Sequence, residues 1–443
     1  MATKTTGLAT WKALRPHDLQ IEYLNCPSRF VVVPAGRRSG KTECAKRRMI
    51  RKALNSCHAE DAWFIMGAPT HSQAKRIFWR DLKSMIPKQL LAIPPSEGTL
   101  TITLVNGAEI TVVGLDAPER IEGRSIDGAV LDEYANMKGH VWGDHLRPAL
   151  SDRLGWCDFI GVPEGRNHYY DLYKAAQADD SGDWATFTWT SEEILDKKEI
   201  ESARRDLDEL TFNQEYRASF VTFTGRAYYT FDEASHLVSC DYDPGRPLIF
   251  CFDFNVSPGV AVVVQEKVPD ARSGEGISQV IGEVYIPNNS NTPAVCRKLI
   301  EDWGSHPTDI LCYGDATGGA RSTSAVAGSD WDLIKAELRP VFGSRVKFRV
   351  DRANPRERAR VNAMNARLKT ADGTIHMLLD PNKAPNVVKD LEGVRVLDGG
   401  AGEIDKKSDP KLTHLSDALG YYVVKKHPVA GARPITRTTS VLG

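Results

Sequence analysis

Short apolar runs alternate with mixed-charge stretches along the first part of the chain, and this rhythm sets the fold before any motif is considered. The runs at 30–34, 62–66, 128–131 and 156–162 are rich in Val, Ile, Phe and Trp and are bounded by turn residues. Each has the length of a strand buried on both faces. Between them, 42–54 and 72–85 have the composition of helices, so strand and helix alternate as in a parallel α/β sheet. Two β-branched runs flank Asn106-Gly107 within 100–113, which predicts a hairpin. From 191 to 220 the pattern turns helical and charged, with Ile194, Ile200, Leu207, Leu210 and Phe212 as apolar anchors, predicting a small helical subdomain. A turn-rich stretch, 225–247, precedes a second series: strands at 248–254, 260–265 and 278–286, a helix at 292–303, and a strand at 309–313. A helix at 330–338, a strand at 346–350, a helix at 355–368 and a last helix at 414–427 follow. The predicted organisation is an α/β domain over 1–185, a helical linker or lid over 186–246, a second α/β domain over 247–428, and a flexible tail over 429–443.

Composition adds bounds. With 443 residues, 41% hydrophobic and 26% charged, the chain has the make-up of a multidomain globular protein. No run approaches a membrane span and no continuous apolar leader opens the sequence, so no membrane association and a cytoplasmic location are expected. The eight cysteines are scattered without a Cys-x-x-Cys pair, which predicts buried free thiols. The net charge of −1 does not single out nucleic acid, and the local distribution says more. Between 345 and 369 stand nine Arg or Lys (345, 347, 349, 352, 356, 358, 360, 367, 369) against Asp351 and Glu357. A basic helix facing polynucleotide phosphates and a solvated helix face both fit that run. Residues 425–443, the end of the last helix and the tail, carry Lys425, Lys426, Arg433 and Arg437 with no acid.

The first apolar run feeds into Ala35-Gly36-Arg37-Arg38-Ser39-Gly40-Lys41-Thr42, a strand followed by a phosphate loop and a helix. In such a loop backbone N–H groups surround the phosphates, the Lys41 ammonium reaches the β and γ oxygens, and the Thr42 hydroxyl helps hold Mg²⁺. Ala35 stands where the usual pattern begins with glycine. The partner motif is Gly128-Ala129-Val130-Leu131-Asp132-Glu133, an apolar strand ending in two carboxylates. Asp132 would hold the Mg²⁺ through water and Glu133 would activate the water attacking the γ-phosphate of ATP. Upstream, Asp18 or Gln20 would read an adenine edge or belong to a plain N-terminal helix.

The second domain runs β-β-β-α-β-α-β-α, the order of an RNase H-like nuclease. Asp253 ends its first strand, Asp315 follows its fourth, and Asp417 lies in its last helix. First and fourth strands are neighbours in such a sheet and the last helix crosses their ends, so the three aspartates would converge. Three clustered anions are tolerated when divalent cations, Mg²⁺ or Mn²⁺, neutralise them, the arrangement used for two-metal phosphodiester cleavage.

These motifs in this order, with Pro69-Thr70-His71-Ser72-Gln73-Ala74, Gly161-Val162-Pro163-Glu164-Gly165-Arg166-Asn167, Phe212-Asn213-Gln214-Glu215-Tyr216, Asn354-Pro355 and His414-Leu415-Ser416-Asp417-Ala418, resemble the large terminase subunit of tailed bacteriophages. The resemblance implies an N-terminal P-loop ATPase domain of the ASCE type and a C-terminal RNase H-like nuclease domain. It implies a motor that drives double-stranded DNA into a procapsid and cuts the concatemer in the host cytoplasm. Its partners would be the portal protein, onto which the basic tail docks, and a small terminase subunit, with a homo-oligomeric ring assembled on the portal. By the same resemblance Gly161–Pro163 couples hydrolysis to motion, with Gly161 and Val162 where relatives often carry a hydroxyl. Arg124 matches the placement of an arginine finger, with Arg120 as competitor. A helicase or repair ATPase fused to a resolvase-like nuclease, and a non-catalytic nucleotide-gated scaffold, are the alternatives.

Overall fold

The computed structural model describes residues 16–56, 58, 61–221, 225–254, 257–267, 276–316, 329–397, 403–409 and 411–429. The chain divides into two compact units, 1–200 with 213–222 and 201–212 with 223–443.

The first unit is built on a seven-stranded sheet: β1 (Phe30–Pro34), β2 (Trp63–Ala68), β3 (Thr101–Thr103), β4 (Glu109–Gly114), β5 (Gly128–Leu131), β6 (Trp156–Gly161) and β7 (Trp184–Thr186). The spatial order is β3-β4-β2-β5-β6-β1-β7. Every pairing is parallel except β3 with β4, the hairpin that Asn106-Gly107 predicts. β1 is buried throughout: Val31 and Val33 enter the core on one face, Phe30 and Val32 the core on the other. This two-residue period explains why a continuous apolar run is needed there. The helix Lys41–Leu54 covers the first face with Cys44, Ala45, Met49, Ile50 and Ala53. The helix expected over 72–85 is interrupted: His71–Ala74 passes through a wide π-helical turn, Lys75–Trp79, before Arg80–Met85, and the adjacent Phe78 and Trp79 are both buried.

The second unit holds six strands: β8 (Leu248–Asp253), β9 (Gly259–Lys267), β10 (Ile277–Ile286), β11 (Ile310–Gly314), β12 (Val346–Phe348) and β13 (Met377–Leu379). Their order is β12-β11-β8-β9-β10-β13. β8, β9 and β10 form an antiparallel meander, and β11 pairs with β8 in parallel, as the RNase H-like order requires. The sequence pattern does not predict β13, an edge strand of three residues. The helix His414–Lys426 packs across β8, β9 and β11.

Two expectations change. The segment 186–246 is not a separate body. Its helices Lys197–Asp206 and Glu209–Arg217 bury Ile200, Ala203 and Phe212, Leu207 between them is buried too, and these residues are divided between the two units. Within the first unit Tyr216 accepts from the Ser191 N–H (2.7 Å), and within the second Leu207 accepts from the Ala371 N–H (2.7 Å). The basic stretch 345–369 is also less of a free face than its charge suggests. On the helix Glu357–Leu368, Arg360 and Arg367 are buried, and Arg367 donates to the Ser278 hydroxyl (3.2 Å). The cysteines at 26, 44, 157, 240, 251, 296 and 312 are free and buried, whereas Cys57 and the tail beyond Val429 lie outside the described residues. Among the described residues no helix is long and apolar enough to cross a membrane.

The C-terminal helix is fastened to β9 by one carboxylate. Glu266 accepts from the Tyr422 hydroxyl (2.6 Å), pairs with His427 (2.7 Å) and meets Lys426. Burial alone would raise this carboxyl, but hydrogen bonds from His427, Lys426 and Tyr422 pull it down to about 2. A carboxyl depressed on folding stabilises the fold above its unfolded pKa and stops doing so as pH falls through its folded one. The melting-temperature gap between the parent and Glu266→Gln is therefore expected to be full above about pH 5 and to close towards pH 2. A gap independent of pH over that window would show that the charge of Glu266 is not what holds the helix.

Candidate functional site

In an open parallel sheet, ligands bind beyond the carboxyl ends of the strands. β1, β5 and β6 end together, and the loop after β1 is fixed by its neighbours on both sides. Ala35 N–H donates to the Gly161 carbonyl (3.0 Å), Gly36 N–H to Trp189 (3.0 Å) and Arg37 N–H to Glu215 (2.6 Å). Gly36 has no room for a side chain, because a Cβ there would run into the Ser191 hydroxyl and lie 2.5 Å from the Tyr216 carbonyl. The Ser39 carbonyl accepts from the Gln20 amide (2.8 Å) and the Trp189 indole (2.9 Å), so the amide of Gln20 braces the loop. Gly40 takes φ +82°, a left-handed conformation that suits glycine, and opens the 14-residue helix Lys41–Leu54 without a side-chain cap. The first-turn N–H groups and the positive helix end are thereby left for an anion.

The side chains follow the same logic. Lys41 is buried with its ammonium 3.2 Å from the Gly36 carbonyl. Burial lowers its pKa, and Glu133 and Asp132 pull the other way. Thr42 donates to Asp132 (2.7 Å), whose other oxygen accepts from the Glu133 N–H (2.9 Å). Burial raises the Asp132 carboxyl, against the pull of Lys41 and Thr42. Glu133 is raised by burial and then by the charge of Asp132. A carboxylate held above its ordinary range suits a general base. Glu133 also sits in the left-handed region, φ 56°, a conformation that costs a non-glycine residue about 1 kcal/mol. Gly161 makes the space: its Cβ would stand 3.3 Å from the Tyr134 N and 3.5 Å from the Glu133 Cα. Arg37 pairs with Glu215 (2.5 Å); burial would lower its pKa, and Glu215 more than offsets that. Arg38 is exposed at the loop apex.

Arg124 does not join this constellation within its own chain. It pairs with Glu109 (2.5 Å), donates to the Asp61 carbonyl (3.2 Å) and lies 5.0 Å from the Trp63 ring centroid. Glu109 and Trp63 begin β4 and β2, so Arg124 stands at the amino end of the strands while Glu133 stands at the carboxyl end. The length of β5, about 13 Å, separates the two edges. Arg120 is exposed on the turn Pro118–Ile121.

In the second unit, parallel pairing sets Phe252 opposite Gly314, which brings Asp253 and Asp315 side by side one residue later. The last helix adds His414 and Asp417 from its first turn. Thr413 enters that turn at φ +83° without a side-chain cap, and Asp390 supports it by accepting from the Ser416 N–H (2.9 Å). Burial raises the Asp390 carboxyl to about 6. His414 lies 3.2 Å from Asp253. Asp315 accepts from the Asn354 amide (2.7 Å) and the Tyr421 hydroxyl (3.5 Å). Asp417 accepts from Arg360 (2.6 Å) and Lys406 (2.9 Å). Burial raises the Asp253 carboxyl, His414 opposes the shift, and the charges of Asp417 and Asp315 reinforce it. The three carboxylates therefore act on one another electrostatically. Their oxygens, with one imidazole, suit a hard divalent cation. As the side chains stand, no three Asp, Glu, His or Cys among the described residues surround a single point closely enough to ligate one ion. Beside Asp315 opens a cavity of about 850 Å³, lined by Trp331, Lys335, Phe348, Arg352 and Asn354 among others.

Residues 33–235 match the family described as terminase large subunit, T4likevirus-type, N-terminal. The terminase large subunit of Escherichia phage T5 is 27% identical over 241 residues, 52% of this chain and 54% of that protein. That of Thermus virus P23-45 is 26% identical over 280 residues, 54% and 56%. The chain thus spans about half the length of the curated relatives it matches. The large terminase of a thermophilic bacteriophage has the same fold, with a TM-score of 0.61 at 16% identity over 92% of this chain and 98% of that one. Structures of that protein include complexes with ADP and with ATP-γ-S.

Proposed function

We propose that this chain, whose residues 33–235 match the large-terminase family and whose two sheets follow a large terminase's fold, is an ATP-driven motor and nuclease that packages viral DNA. The observation that carries the reading is the Thr42–Asp132 hydrogen bond, with Lys41 and Glu133 alongside it at the carboxyl edge of the first sheet. Thr42 and Asp132 would hold Mg²⁺, which neutralises charge on the β and γ phosphates. Lys41 and the first-turn N–H groups of the helix Lys41–Leu54 orient the triphosphate, and Glu133 takes a proton from the attacking water.

Asp253, Asp315 and Asp417 would hold Mg²⁺ or Mn²⁺, which lowers the pKa of a bound water and steadies the leaving oxygen. His414 orients Asp253, while Asn354 and Tyr421 orient Asp315. Double-stranded DNA is the proposed substrate, with the portal protein of the procapsid and a small terminase subunit as partners in the host cytoplasm. The working form is a homo-oligomeric ring, in which Arg124 would act only on a neighbouring copy's site. Phosphate release measured with and without linear duplex, and plasmid nicking in Mg²⁺ or Mn²⁺, test the two activities. Absence of both in the folded chain would favour the scaffold reading.

The face that meets DNA is drawn from the exposed arginines of the basic run, Arg349, Arg352 and Arg356. Changing these three to Ala is expected to weaken binding of all sequences alike. The dependence of log K on log salt should flatten by about one unit per lost contact. An unaltered slope would identify the run as a solvated face.

A further inference from the structure

The counter-charges of the three nuclease aspartates are distributed unevenly. Both oxygens of Asp417 face cations, Arg360 at 2.6 Å and Lys406 at 2.9 Å. The two cations differ in kind. Arg360 is built in: its side chain is 5% exposed, and it lies 4.6 Å from the Tyr421 ring centroid. It crosses the last helix at Gly420, where a Cβ would stand 2.5 Å from its Cγ. Lys406 is 46% exposed and also reaches Glu357 at 3.2 Å. Glu357 in turn accepts from the Ile404 N–H (2.8 Å), so the carboxylate beside Lys406 is anchored to the same segment.

A divalent cation binds a carboxylate oxygen at about 2.0–2.6 Å. An ammonium 2.9 Å from that oxygen would then lie within a few ångströms of the metal, and like charges at that separation repel strongly in a partly buried site. Arg360 occupies the other oxygen and has little freedom to leave. Lys406 has both solvent and a second carboxylate to move to.

We propose that Lys406 is a resident counter-cation of the nuclease site, released from Asp417 towards Glu357 when a divalent metal binds, so that this lysine sets the metal affinity. The inference rests on the reading of Asp253, Asp315 and Asp417 as the metal-holding residues. It assigns Lys406 a positioning role: the lysine acts on the site through Asp417.

Calorimetric titration of the full chain with Mn²⁺, without nucleotide or DNA, tests it. Lys406→Gln is expected to bind Mn²⁺ on the order of fivefold more tightly than the parent. Lys406→Arg, which restores the charge, should return towards the parental affinity. Asp253→Asn should lose the binding event. Parental or weaker affinity in Lys406→Gln, with binding still lost in Asp253→Asn, would overturn the role of Lys406 and leave the site intact. Mn²⁺ binding unaffected by Asp253→Asn would remove the underlying site assignment, and the proposal with it.

Discussion

Glu133→Gln is expected to bind nucleotide as the parent does and to turn it over about 10²-fold more slowly or worse. The substitution keeps the side chain's size, and Asp132 still accepts from the backbone N–H of residue 133, so the loop, Lys41 and Thr42 stay in place. What disappears is the carboxylate of that cluster that is raised and is not already hydrogen-bonded to Thr42. Steady-state phosphate release set beside fluorescent-nucleotide binding separates the two effects. Parental turnover would pass the base role to another carboxylate, and Glu215, bound to Arg37 beside the loop, would be the next to test.

The second large effect distinguishes the proposed nuclease aspartates from one another. Asp253→Asn and Asp417→Asn are both expected to abolish nicking of plasmid DNA in Mg²⁺ or Mn²⁺ while ATP hydrolysis continues. Their stabilities should part. Asp253 is held above its ordinary range by burial and by its two acidic neighbours, so removing its charge relieves repulsion and the variant should melt near the parental temperature. Asp417 is the partner of a buried guanidinium, and taking its charge away strands Arg360, at a cost of about 3 kcal/mol. Thermal melts of the two variants side by side provide the check. Equal stability would mean that Arg360 finds other compensation, and parental nicking in either variant would remove that aspartate from the site.

Those two pairs also show where reading the sequence succeeds and where it stops. The phosphate loop, the Asn106-Gly107 hairpin, the helix Thr292–Trp303 and the placement of Asp253 and Asp315 are local: each depends on neighbours in the chain or on the two-residue period of a strand. The position of Arg124 is legible too, since it precedes β5 and Glu133 follows it, and a strand's direction puts them at opposite edges. His414, three residues before Asp417, shares its helical face, a spacing that signals a joint role. The cations on Asp417 leave no such trace. Arg360 and Lys406 lie 57 and 11 residues from it, the first within a run that also reads as a solvated basic face and the second in a stretch of balanced charge, 403–411. The packing of the helix Glu357–Leu368 against Gly420 holds Arg360 inward.

The crossing of the chain between its two units constrains how such a protein can be shuffled in evolution. Residues 213–222 belong with 1–200, although 201–212 between them belong with the rest. A recombinant that inherits one parent's residues up to 200 and the other's thereafter would join a phosphate loop to a foreign Glu215 and Tyr216, the residues that receive its Arg37 and Ser191 N–H groups. A junction at 222 keeps those contacts but separates Asp208 from Tyr229, which donates its hydroxyl to that carboxylate. No single breakpoint in this stretch preserves both sets, so the two units are expected to be inherited together more often than two independent modules would be.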